Sequence, residues 1–205
     1  MLYTNTVSDE LLSIIKTICK DNYFENFRLF GGTALALQIG HRISVDADFI
    51  SENEFDNDEL IFHLHQIYPN QLSDIRQNKL GIFLNIRGIK VDFLSWNLPF
   101  IRPVVFEDEI KLMHIEEIIA SKLFAILNRG EKKDYIDIAT LLDTFMLNDM
   151  ISFYHEKYNN SNSAILLKYL CSFSDIDFQV EPNMLVNSNW ENAKQKIKHS
   201  VQALI

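Results

Sequence analysis

Asp46 and Asp48 stand two residues apart in the run His41-Arg42-Ile43-Ser44-Val45-Asp46-Ala47-Asp48-Phe49-Ile50. Read as a strand, this run alternates. Ile43, Val45, Ala47 and Phe49 face one way, and Ser44, Asp46 and Asp48 face the other. Carboxylates at that spacing stand side by side, with roughly 7 Å between their Cα atoms, so they can converge on one cation or on a close pair of cations. Just upstream, Gly31-Gly32 follows the apolar Phe27, Leu29 and Phe30 and precedes Thr33-Ala34-Leu35. A strand that turns into a helix through glycines leaves backbone N–H groups aimed at an anion. Taken singly, an Asp-x-Asp is usually a solvated strand face and a Gly-Gly usually a tight turn. In this order and within about twenty residues, they describe a site for a metal-bound phosphate.

Two further groups fit that chemistry. Leu80–Ile86 and Ile89–Trp96 are β-rich runs joined by Arg87-Gly88, a two-residue hairpin signal. In the second run Ile89, Val91 and Phe93 face one way, while Lys90 and Asp92 face the other. Asp92 is then either a solvated edge carboxylate, the ordinary case, or a third acid beside Asp46 and Asp48 if the strands are neighbours. Lys122 falls within the apolar stripe Ile115, Ile118, Ile119, Leu123 and Ile126 of a helix over 114–128, which ends at Arg129-Gly130. A lysine there ordinarily snorkels to water; the alternative is a stripe that lines a cleft. The next helix, from about Lys133 to Phe145, carries Asp134 and Asp137 ahead of Ile138, Leu141 and Leu142. Asp134 suits the helix dipole, and Asp137 is placed to pair with Lys122 or Arg129 across a helical hairpin.

The remaining elements position these groups. Ser8 sits in a helix-start pattern before Leu11, Ile14, Ile15 and Ile18, and a helix over 56–68 turns Leu60, Ile61, Leu64 and Ile67 inward. His63 and His65 on that helix cannot share a face and read as surface residues. From Glu107 onward the pattern is helical, which places a domain boundary near residue 105. Helices are expected around 149–158, 163–173 and 189–203, with a polar linker over 174–189, and this region reads as scaffold.

The chain has 205 residues, 47% of them hydrophobic, enough for one domain or two small ones. No apolar run approaches a membrane span, and the polar, acidic start is unlike a signal peptide, so a cytoplasmic protein without membrane contact is expected. The two cysteines, far apart in sequence, suit buried thiols. A net charge of −9 argues against non-specific coating of nucleic acid. Any nucleic-acid partner then needs a local basic patch, for which Arg42, Arg129, Lys132 and Lys133 are available.

The segments GGTALAL, HRISVDADF, KVDF and ASKLFAILNRGEKKDYIDIATLLD, in this order across residues 27–145, resemble the AbiEii/AbiGii-type nucleotidyltransferases, toxins of bacterial toxin–antitoxin and phage-abortive systems. The resemblance implies an α+β architecture: a polymerase-β-like nucleotidyltransferase domain with a mixed sheet over 1–105, followed by an all-helical domain over 106–205 that closes the nucleotide cleft. It implies a phosphate-holding turn at Gly31, Gly32 and Thr33, with Arg42, Ser44, Lys122 and Arg129 also on the nucleotide. Asp46, Asp48 and Asp92 become ligands to two Mg²⁺ ions, and Lys122 and Asp137 join these acids as catalytic residues. The implied reaction moves an NMP from an NTP to an acceptor, with the 3′ end of tRNA the expected one and a separate antitoxin protein as partner. An aminoglycoside-like small-molecule acceptor, or a silent nucleotide-binding module, is the competing reading.

Overall fold

The computed structural model describes residues 1–159 and 162–204. A seven-stranded mixed sheet forms the centre, in the order β3-β4-β5-β2-β1-β7-β6. It comprises β1 (Arg28–Phe30), β2 (Ala47–Ser51), β3 (Leu72–Asn78), β4 (Gly81–Ile86), β5 (Ile89–Ser95), β6 (Val105–Glu107) and β7 (Ile110–Leu112). The helices are α1 (Asp9–Lys20), α2 (Gly31–Ile39), α3 (Asn57–Ile67), α4 (Ile115–Asn128), α5 (Lys132–Leu141), α6 (Leu147–Tyr158), α7 (Ser163–Leu170) and α8 (Trp190–Gln202). The α+β class expected from the sequence is the observed one.

The decisive pairing is β2 with β5, parallel, in a register that sets Asp48 opposite Asp92 and Phe49 opposite Phe93. Alternation along each strand then sends the phenylalanines to one face of the sheet and the carboxylates to the other. On the apolar face Phe93 stacks on both Phe24 and Phe49, with ring centroids 5.4 Å apart in each pair, and meets Phe27 edge-on at 5.6 Å. Leu60 and Leu64 of α3 are fully buried in the same core. On the opposite side α4 packs against α2, α5, α6 and α7. A one-residue slip of β2 against β5 would bury the acids and expose the rings, so the aromatic core fixes the register of the site.

Several helix boundaries follow from local chemistry. Ser8 caps α1 by accepting from the Leu11 N–H at 3.1 Å, and Asp56 caps α3 by accepting from Glu59 N–H at 3.0 Å. The Arg87-Gly88 hairpin between β4 and β5 is present, with both residues at positive φ.

The structure departs from the sequence expectations in three places. The strand expected over 41–50 begins only at Ala47. Residues 41–43 instead join the linker: Ile43 N–H donates to Asn183 O, Leu185 N–H donates to His41 O, and Val45 is 74% exposed, not on the core face. β3 has an almost wholly exposed polar sequence and a register shift between Ser73 and Arg76, with Asp74 at φ 54°, so it offers no alternation to read. The β6–β7 hairpin falls in the stretch expected to be helical, and it extends the sheet past residue 105. Its strands have three residues each and turn through Asp108-Glu109, both at positive φ and neither a glycine.

Truncating Phe93 to alanine removes the ring that three other phenylalanines contact. The variant should lose about 3–5 kcal/mol of stability, measured by urea unfolding; a loss under about 1 kcal/mol would mean that the aromatic cluster does not hold the β2–β5 register.

Candidate active site

The sheet's polar face and helices α4 and α5 enclose a cavity of about 970 Å³. Gly31, Gly32, Arg42, Ser44, Asp46, Asp48, Asp92, Lys122 and Arg129 all line it. Of the residues singled out in the sequence for this chemistry, Thr33, Lys132 and Asp137 do not, and Thr33 and Asp137 lie directly behind it.

The glycine turn is built for close approach. α2 begins at Gly31 directly after β1, and its N-cap Phe30 provides no side-chain cap, so the first N–H groups of the helix have no such partner. Gly31 has φ +71°, and a Cβ there would lie 3.0 Å from Asp48 Oδ2; a Cβ on Gly32 would meet the Arg42 guanidinium at 2.5 Å. A side chain at either position would displace a charged group of the site.

Thr33 takes a different part from the one its place in the turn implies. Its hydroxyl is buried, donates to the Asp46 carbonyl at 2.5 Å and lies 2.8 Å from Ser44 Oγ. It therefore fixes the Asp46 loop, and the cavity sees the backbone of the turn. That loop has left the strand by residue 46, so Asp46 owes its position to Thr33 while Asp48 and Asp92 owe theirs to strand pairing.

Asp92 is buried and accepts a hydrogen bond from Lys90 Nζ at 2.6 Å through Oδ2; its Oδ1 is buried without a hydrogen-bond partner among the described residues. Burial, with the charge of Asp46 and then that of Asp92 added, pushes the Asp48 carboxyl up to about 7, against the opposing pull of Lys90 and Lys122. A buried carboxylate oxygen without a partner, beside a second carboxyl that resists ionising, is a donor set that fits a hard divalent ion. Among the described residues no three His, Cys, Asp or Glu side chains are gathered into a metal cage. Mg²⁺ commonly takes only one or two carboxylates and completes its shell with water and substrate phosphate, and the open arrangement suits that habit.

The opposite wall is cationic, held by a buried ion-pair network. Asp137 accepts from Arg42 Nε at 2.7 Å and Nη2 at 3.0 Å, lies 2.7 Å from His41 Nε2, and pairs with Lys122 Nζ at 2.6 Å. Lys122 also donates to Asp134 Oδ1 at 2.8 Å, and Arg129 reaches Asp134 Oδ2 at 3.3 Å. Lys122 is therefore buried in a cleft wall and does not snorkel, and Asp134 is a buried partner where a helix-dipole residue was expected. Burial alone would raise the Asp137 carboxyl, but Lys122 and Arg42, with hydrogen bonds from His41 and Arg42, hold it well below the usual carboxylate range. Burial would lower Lys122, yet Asp137 and Asp134 keep it raised and charged. With no exposure of its own, Asp137 is placed to position the two cations. Lys132 is turned away, donating to Asp177 O at 3.0 Å over the Trp190 ring, so the basic patch consists of Arg42, Lys122, Arg129 and Lys133.

Sequence reasoning missed Lys90 and Trp96, although Lys90 within β5 and Trp96 just past its end share the alternation of Asp92, and it missed Pro182 and Asn183. The last two come from the linker read as scaffold, and nothing in their local pattern points to the cavity. His63 is half-buried, stacked on Tyr23 at 4.2 Å and 2.9 Å from Asp21, remote from the cavity lining.

The sequence profile of the nucleotidyl transferase AbiEii toxin family, a type IV toxin–antitoxin system, matches residues 13–204. The chain belongs to this family. AbiEii membership makes it a nucleotidyltransferase of a toxin–antitoxin system. It is 27% identical over 191 residues to an uncharacterized protein of Aquifex aeolicus, covering 90% of this chain and 88% of that one. Two Helicobacter pylori structures share the fold, each at 18% identity. JHP933 aligns with TM-score 0.59 over 97% of this chain and 93% of its own. A protein provisionally described as a nucleotidyltransferase aligns with TM-score 0.60 over 96% and 95%. No helix among the described residues is long and apolar enough to cross a membrane.

Asp137→Ala leaves Arg42 and Lys122 buried without their shared partner and should cost about 3–5 kcal/mol, read from the urea midpoint; an unchanged midpoint would show that the network is dispensable. Asp48 holds its proton to about 7 in the metal-free fold, against about 3.9 when unfolded. The native state then binds more protons across this window, so the contribution is full below about pH 4 and is lost as pH rises through 7. In EDTA, the wild type should lose stability relative to Asp48→Asn between pH 5 and pH 8. Parallel stability curves would show an ordinary carboxylate.

Proposed function

We propose that this AbiEii nucleotidyltransferase moves an NMP from an NTP onto the 3′-terminal hydroxyl of tRNA, using Mg²⁺, as a cytoplasmic toxin restrained by a separate antitoxin protein. The observation that carries the reading is the register of β2 with β5, which sets Asp48 beside Asp92 on a cavity floor faced by the cations of α4 and its flanking loops.

The residues divide the work by charge. Asp46, Asp48 and Asp92 would hold the metal. When bound, the ions supply Lewis-acid stabilisation of the attacking oxygen and of the leaving pyrophosphate. The backbone of Gly31 and Gly32 and the start of α2 offer N–H groups to the phosphates. Lys122, Arg42 and Arg129 supply fixed positive charge, with Ser44 beside them; their pairing with Asp134 and Asp137 keeps them oriented before substrate arrives, so no reorganisation is needed at the moment of reaction. The acceptor hydroxyl forms the new O–P bond at the α-phosphorus and the bond to pyrophosphate breaks; the hydroxyl's proton passes to water where Asp92 completes the metal site, or to Asp92 Oδ1 where that oxygen stays free of metal. In this reading residues up to β7 form the nucleotidyltransferase half, and the helices from α4 onward close the cleft over the nucleotide.

The test is transfer of α-labelled ATP, CTP, GTP and UTP, each with Mg²⁺, onto total tRNA and separately onto small hydroxyl compounds, including an aminoglycoside. Label on tRNA from the wild type is expected, with Asp46→Ala and Asp48→Ala reducing transfer on the order of 10²-fold or more and EDTA abolishing it. Label on the aminoglycoside alone would replace the acceptor class. NTP binding without transfer to anything would make the protein a silent nucleotide-binding module.

A further inference from the structure

A second cavity of about 490 Å³ opens beside the main one, where the turn between β3 and β4 folds over the end of β5. The two cavities share Leu80, Ser95 and Trp96. Trp96 lies at the end of a row. Lys90, Asp92, Leu94 and Trp96 alternate onto the same side of the β5 segment and all line the main cavity, so Trp96 is about 13 Å along the strand from Asp92 at the usual rise per residue. Anything bound in the second cavity that extends past Trp96 is therefore led along this row to the carboxylates.

The lining has a particular chemistry. Asn57 donates to Asn78 O at 3.2 Å, Asn97 donates to Glu54 Oε1 at 3.1 Å, and Asn78 Oδ1 accepts from Leu80 N–H at 2.8 Å. Each amide is held at one end, and the other end has no protein partner among the described residues. The free ends are the Oδ1 acceptors of Asn57 and Asn97 and the Nδ2 donor of Asn78, so the set together offers acceptors and a donor to a base edge. Ser95 Oγ, at the junction of the two cavities, is buried without a partner among the described residues. Trp96 provides an aromatic surface, and Lys79 is the cation of the lining. Glu54 is its carboxylate and already accepts from Asn97, which gives a polycationic acceptor little to pair with.

We propose that this second cavity is the acceptor subsite, and that it takes the end of a single-stranded RNA with one base stacked on Trp96, base edges against the asparagine amides, and a phosphate near Lys79. This assignment rests on the nucleotidyl transfer to RNA argued above and adds where the acceptor is held. Stacking on an aromatic side chain tolerates any base, while amides at the rim select among edges. The subsite therefore admits a single strand and rejects a duplex, whose bases are not free to stack.

The test uses a 5′-fluorescein heptaribonucleotide with a free 3′ hydroxyl, followed by anisotropy on the full chain, with a non-hydrolysable ATP analogue titrated in parallel. Trp96→Ala should weaken heptamer binding by about 5- to 150-fold, and Trp96→Phe should restore most of it. Lys79→Glu should weaken it several-fold and reduce the salt dependence of log K by about 0.7 for the lost phosphate contact, while the affinity for the ATP analogue stays unchanged. Equal heptamer affinity in wild type, Trp96→Ala and Lys79→Glu, or failure of the wild type to bind the heptamer, overturns the assignment. In steady-state transfer onto tRNA, a raised KM for tRNA with an unchanged KM for NTP in Lys79→Glu supports it; an unchanged KM for tRNA places the acceptor elsewhere while leaving the transfer reaction standing. Absence of transfer by the wild type would count against the reaction, not the subsite, which the binding data decide separately.

Discussion

Asp137 is the point on which α4, α5 and the loop ahead of β2 meet. It has no exposure to water, yet it is bonded by His41 and Arg42 from the loop ahead of β2 and by Lys122 from α4. A buried carboxylate with these partners is stable only while all of them are in place, because removing one leaves an uncompensated charge in a low-dielectric interior. The cleft between sheet and helices is thus tied shut at its back by charge, while its front stays open. The arrangement makes Arg42 and Lys122 rigid cations, already desolvated and aimed, on the wall that faces the acids.

Against that wall the acids are deliberately incomplete. Asp92 keeps one oxygen without a partner, Asp48 is pushed toward neutrality by burial and by its acidic neighbours, and Lys90 partly fills the gap. The acidic floor is the counterpart of the cationic network: the cations are satisfied by Asp134 and Asp137, while Asp92 keeps an oxygen that no described protein group satisfies. This asymmetry matches the needs of phosphoryl transfer, in which the protein contributes little covalent chemistry and much positioning and electrostatic stabilisation. The aromatic core under β2 and β5 supports the same end, because the stacking of Phe49 on Phe93 and the juxtaposition of Asp48 with Asp92 are two faces of one register.

Much of the site was legible because its signals are local. Asp48 and Asp92 follow from strand alternation, the glycine turn from its place between a strand and a helix, and the Lys122–Asp137 pair from helical spacing, whereas Asp46 reaches the same cavity from a loop that Thr33 holds. What escaped was non-local or lacked a pattern. β3 is polar and bulged, the β6–β7 hairpin is too short to alternate and turns without glycine, and Pro182 and Asn183 reach the cavity only because the linker bridges back to residues 41–43. Lys90 and Trp96 were readable on the face of Asp92, but a lysine and a tryptophan at a strand surface carry no signal without the cavity they line.

The sequence by itself determined the chemistry: which acids share a strand face, where backbone N–H groups are left free, and which lysine interrupts an apolar stripe, since these depend on periods of two and 3.6 residues. Only the tertiary structure decided the partners. That Lys122 is buried and paired, that Thr33 braces Asp46 instead of facing the cavity, and that Asp137 acts from behind Arg42 are outcomes of packing between different elements, across 95 residues in the case of Arg42 and Asp137. Burial sets whether a charge is screened by water or must find a partner, and no local pattern encodes that.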